Sequence, residues 1–181
     1  YKFNWNGSLK TAQWVPNTGG GAYPVFCYDE ETQFLFDQLN DEKRDLYFEE
    51  YPDREEDYSG DEKTQYDRYA GFLMDEKLNQ AAAYRLEAAL VNGYSGDAIP
   101  GEGTLKDYLG KISYRKNSSC RELYLRGRED ADDAFDRLIG KTQDKYDSSG
   151  KRKDSLDYYR RIGMAHAEKD GEHYFMVILM R

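Results

Sequence analysis

The chain has 181 residues, a formal net charge of −9 and a sequence pI of about 4.8. That length buries a core without disulfide or metal staples. The acidic balance argues against nucleic-acid partners and anionic membrane surfaces, and no apolar run is long enough for membrane insertion. The first residue is Tyr1, so the sequence reads as a mature or excised piece of a larger protein. Its 17 tyrosines supply contact area with polar tips, suited to packing with wet edges or to touching other proteins.

In chain order, residues 1–36 read as mainly β. "YKFNWNGSLKTAQWV" alternates aromatic and polar residues around an Asn6-Gly7 turn signal, and "YPVFCY" follows a Gly-rich loop as a short strand. Residues 41–63 carry 11 acidic and 4 basic residues and read as a solvated acidic loop. Residues 64–170 read as a mainly helical lobe. One helix is expected over about 62–92, stopped at Gly93. A short helix starts at Thr104 with Asp107 three residues on, another covers 129–147 on an Ala131/Phe135/Leu138/Ile139 stripe, and a last covers about 154–168. "HYFMVILM", within 172–181, reads as a buried strand. The expectation is a single α+β domain: a mixed, mostly antiparallel sheet from both chain ends, packed against a helical lobe inserted between them.

The chemistry-bearing residues are few. Cys27 and Cys120 are the only cysteines, His166 and His173 the only histidines. They show no metal-ligand spacing, so no metal and no cofactor are expected. Cys27 reads as a small buried hydrophobe, half of a disulfide with Cys120, or a nucleophile. Thr-Gln pairs place glutamines at Gln33, Gln65 and Gln143.

Three segments together resemble the thioester domains of Gram-positive surface adhesins: "YPVFCYD", "AALVNGYSGDA" (88–98) and "LIGKTQDKYDSSG" (138–150), with "HYFMVILM" as a closing strand. The chain departs from the family pattern at Asp144-Lys145, where apolar residues usually follow the Thr-Gln. The resemblance implies an internal thioester between Cys27 and Gln143, formed as the thiol attacks the carboxamide and expels ammonia. It implies a cell-surface adhesin domain, anchored to the bacterial cell wall beside further domains. There it would acylate a Lys amine of a host surface or matrix protein in one turnover, without being an enzyme. Two other classes stay open: a secreted Cys-His hydrolase or transamidase, since 139 residues separate Cys27 from His166, and a non-covalent binding module.

Overall fold

The computed structural model describes residues 12–16, 22–27, 29–53, 70–114, 118–142 and 155–181, with the first two segments and residues 140–142 described by their backbone. Strand β1 (Ala12–Pro16) pairs antiparallel with β2 (Ala22–Cys27), with a bulge between Gln13 and Trp14. Asp29 then caps helix α1 (Glu30–Glu50), accepting from the Thr32 amide. Leu35, Phe36, Leu39, Lys43, Leu46 and Tyr47 recur at helical spacing and are buried.

After β3 (Leu73–Met74) comes α2 (Glu76–Asn92), capped by Asp75, whose carboxylate accepts from the Lys77 and Leu78 amides. A small ladder, β4 (Ala98–Ile99) with β5 (Gly103–Thr104), leads into α3 (Leu105–Lys111). The α3 start is a full capping box: Thr104 Oγ1 accepts from the Asp107 amide, and the Asp107 carboxylate accepts from the Thr104 amide. Strand β6 (Cys120–Arg128), helix α4 (Ala131–Thr142), a 3-10 turn (Leu156–Tyr158), and strands β7 (Arg161–Lys169) and β8 (Glu172–Met180) complete the order.

The sheet order is β3-β7-β8-β6, with β3 parallel to β7 and the other pairs antiparallel. This is the expected α+β class with a mixed, mostly antiparallel sheet flanked by helices. Its strands come from residues 73–180, while β1 and β2 form a hairpin of their own. Helices lie on both faces. Ile162, Met164, Val177, Leu179, Leu123, Leu125 and Phe175 point to α1 and α4, meeting Leu35, Leu39, Ala134 and Leu138. Met176, Ile178 and Met180 point to α2 and α3, meeting Leu78, Ala82, Leu86, Leu105 and Leu109.

Helix α2 crosses this second face along one row of the sheet, Gly163–Ile178–Glu122. At one end a Cβ on Gly163 would sit 2.2 Å from the Leu78 carbonyl carbon, so only glycine admits the helix there. At the other end Arg85, fully buried, meets Glu122. Its Nη2 donates to Glu122 Oε1 at 2.7 Å and to the Gly103 carbonyl at 3.2 Å, its Nε donates to Glu122 Oε2, and the Tyr94 hydroxyl donates to Glu122 Oε1 at 2.9 Å. Every charge in this cluster has a directed partner, which is what burial of an ion pair demands.

Several expectations need correction. Residues 41–50 are not a solvated loop but the second half of α1, because Leu46 and Tyr47 continue its buried stripe; residues 54–69 lie outside the described residues. The helix expected over 62–92 is interrupted at Leu73–Met74, which are drawn into the sheet beside β7, and α2 runs from Glu76; its expected start over 62–69 lies outside the described residues. The span 64–170 carries helices α2, α3 and α4 as expected, and also contributes strands β6 and β7 to the sheet. In place of a helix over 154–168 stands the 3-10 turn and β7, which pairs with β8 along its whole length.

Candidate functional site

Strands β7 and β8 are joined by Asp170-Gly171, both with positive φ (56° and 77°), the two-residue hairpin turn that matches the twist of the strands. That turn fixes the register. His166 falls opposite Phe175 and Glu168 opposite His173, all on the face covered by α1 and α4. On the other side of β8, His173 is opposite Arg128 of β6.

The two histidines bond to each other and to the start of α1. His166 Nδ1 lies 2.8 Å from both carboxylate oxygens of Asp29, and His166 Nε2 lies 2.9 Å from His173 Nδ1. The rings are within 12° of parallel with centroids 5.1 Å apart, so they meet edge to edge along the hydrogen bond. Phe175, fully buried, lies against the His166 ring with centroids 4.7 Å apart. The side chains of His166 and Asp29 are only 10% and 11% exposed, which shields their contact from water.

The donor and acceptor roles follow from the geometry. Asp29 is held as a carboxylate: burial alone would raise its pKa, but the His166 hydrogen bond and charge and the Thr32 hydroxyl (2.9 Å) and amide (3.2 Å) outweigh that and lower it. An ionised carboxylate only accepts, so His166 donates from Nδ1. In the neutral ring Nε2 is then an acceptor, so His173 must donate from its own Nδ1. His173 Nε2 is left carrying the lone pair. The result is a carboxylate–imidazole–imidazole chain whose basic end is His173 Nε2. Among the described residues no group of three His, Cys, Asp or Glu side chains converges as a metal site.

The residues singled out from sequence are dispersed. Cys27 is the last residue of β2, its backbone opposite Ala12, and its side chain lies outside what is described. It stands two residues before Asp29, so its Cα is within about 7 Å of the Asp29 Cα. Gln143 follows the end of α4 and lies outside the described residues, as does Gln65. Gln33 is on α1, its amide donating to the Asp37 carboxylate at 2.9 Å. Cys120 is a free, half-buried thiol, not half of a disulfide with Cys27, and burial pushes its pKa up. Asp29 and the pairing of His166 with His173 were not read from sequence. The Asp170-Gly171 turn signal is the one local feature that places the two histidines together; nothing local places Asp29, 137 residues from His166, beside them.

No family model, curated protein or solved structure matches this chain. The resemblance to thioester adhesin domains is therefore not upheld, nor is the covalent-adhesin function drawn from it. The architecture overturns both: an open four-stranded sheet between helices, where those domains are expected to be predominantly β, with a closed sandwich.

Proposed function

We propose that the Asp29–His166–His173 chain is the acid–base centre of a hydrolase or acyl transferase, with Cys27 as its nucleophile. The observation that supports this is the hydrogen-bonded chain itself, ending in a histidine nitrogen with a lone pair. In this reading His173 Nε2 is the base that takes the nucleophile's proton. As it does so, the His173 Nδ1 proton can pass to His166 Nε2, moving positive charge next to the Asp29 carboxylate. The thiolate attacks a substrate carbonyl, the proton returns to the leaving group, and water or an amine resolves the acyl-enzyme. Asp29 fixes the His166 tautomer and balances the imidazolium charge without itself becoming protonated.

The test needs no substrate. With iodoacetamide near neutral pH, Cys27 is expected to alkylate at least about tenfold faster than Cys120, whose burial keeps it a thiol. His173→Asn keeps an N–H donor toward His166 but removes the base, and is expected to erase that advantage. Equal rates at the two cysteines, or a Cys27 rate indifferent to His173→Asn, would sink the proposal.

A second reading, a non-covalent binding module, has one supporting observation. Tyr84 and Tyr108 stack with centroids 4.9 Å apart, Tyr84 is 43% exposed, and its hydroxyl donates to Glu102. Loss of partner capture by Tyr84→Ala, with Cys27 reactivity unchanged, would favour that reading.

A further inference from the structure

The His166–His173 contact has room for one proton between the facing nitrogens. In the neutral pair His173 Nδ1 carries it and His166 Nε2 accepts. One added proton leaves the bond intact: either His173 becomes the imidazolium and still donates, or the shared proton shifts and His166 becomes the imidazolium, donating to His173. A second added proton makes both rings cations with N–H groups facing each other across 2.9 Å, and no arrangement of protons then keeps the bond.

Charged groups face the pair from the elements packed against it. Asp29 of α1 faces His166, and Glu168 of β7 stands opposite His173. From β6, Arg128 stands opposite His173, its Nη1 3.4 Å from Asp133 at the start of α4. Glu31, the other carboxylate turned inward from the first turn of α1, accepts from the Ala131 amide instead, and Glu172 accepts from the Tyr174 hydroxyl. A second imidazolium charge therefore lies beside a first one, on a strand flanked by Glu168 on one side and Arg128 on the other.

The bond joins two elements distant in sequence. Asp29 is at once the N-cap of α1 and the anchor of His166, and His166 holds His173 on the far strand of the hairpin. We propose that the Asp29–His166–His173 chain is an acid-released clasp: it holds the start of α1 to the end of the β7–β8 hairpin with up to one added proton, and the second opens it. Release is local, because the apolar cores on the two faces and the Arg85–Glu122 pair do not depend on it. This inference stands on the histidine geometry alone and does not require Cys27 to be a nucleophile.

Amide hydrogen exchange on the intact chain tests it. Corrected for intrinsic rates, protection at residues 30–33 and 166–173 is expected to fall at least about tenfold between about pH 7.5 and about pH 5, while α2 stays protected. In His173→Asn the side-chain amide still donates to His166 and cannot take a proton, so the same acidification is expected to change local protection by less than about twofold. Unchanged protection in the wild type, or an equal fall in His173→Asn, overturns the proposal. Should that variant fold poorly, the wild-type side-chain nitrogen spectrum decides. Coupling between His166 Nε2 and His173 Nδ1 must vanish once both rings are doubly protonated, and its survival in that state contradicts the clasp.

Discussion

The two faces of the sheet each bury a polar cluster, and the clusters are built to opposite ends. On the α2 face, Arg85 and Glu122 are closed in by Tyr94 and by the Gly103 and Thr104 carbonyls, every partner supplied from within. On the α1 face, Asp29 and His166 are nearly as well hidden, yet the chain they start ends on His173, which is half-buried and whose Nε2 has no hydrogen-bond partner among the described residues. A closed cluster can only hold the fold together. An open one can also exchange a proton with something outside. The difference lies in chemistry more than in burial: a guanidinium keeps its charge at any ordinary pH, whereas imidazole changes charge near neutrality.

The comparison breaks most visibly at Arg85. Arg85→Met leaves Glu122 as an unpaired buried carboxylate, and equilibrium denaturation should show a loss of about 3–5 kcal/mol. Gly163→Ala attacks the other end of the same helix: with the Leu78 backbone 2.2 Å from the new methyl, α2 must lift, at a cost of about 3 kcal/mol in the same assay.

The His face has its own buried charge, and it sharpens the contrast through pH. Lys43 is 1% exposed and donates to the Ala70 carbonyl at 2.9 Å; burial first, with Arg160 and Arg44 adding to it against Asp157, lowers its pKa from 10.5 to about 7. Between those values the unfolded chain holds one more proton than the folded one, so stability rises with pH there. Below about 7 both states are protonated and this slope vanishes. Wild type minus Lys43→Met should therefore gain about 1.4 kcal/mol per pH unit across the interval, followed by denaturant midpoints. A flat difference would mean that Lys43 keeps its charge in the fold.

The smallest effect is expected at the open cluster itself. Asp29→Asn retains a good N-cap and an acceptor for His166, so the loss at neutral pH should be only about 1 kcal/mol, against several for Arg85→Met. Because the Asp29 pKa is lowered in the fold, its contribution is complete above the unfolded carboxylate range and disappears as pH falls through the folded value. The gap between wild type and Asp29→Asn should close in acid accordingly.

What could be read from sequence follows the reach of each signal. The α3 capping box, the α2 stop at Gly93, the α4 stripe and the β8 apolar run all depend on residues within a few positions, and each is found where expected. Helix α1 was hidden because Lys43 interrupts its apolar stripe and its exposed face is acidic enough to resemble a solvated loop. Strand β7, "RIGMAHAEK", looks helical by composition, and only the Asp170-Gly171 turn betrays its pairing with β8. The site needed that hairpin and also a contact spanning 137 residues, which local pattern does not carry. The familiar look of Cys27, the Asn-Gly-Tyr and the Thr-Gln segments rested on short motifs in order, and the architecture did not follow them.

The proton-transfer account rests on where two protons sit, and side-chain nitrogen NMR on the histidine-labelled protein at neutral pH reads that directly. The account predicts that His166 and His173 both carry their proton on Nδ1, coupled through the bond from His173 Nδ1 to His166 Nε2, with His173 Nε2 bare. A His173 ring protonated only at Nε2 would leave the chain without a basic end and would contradict the account.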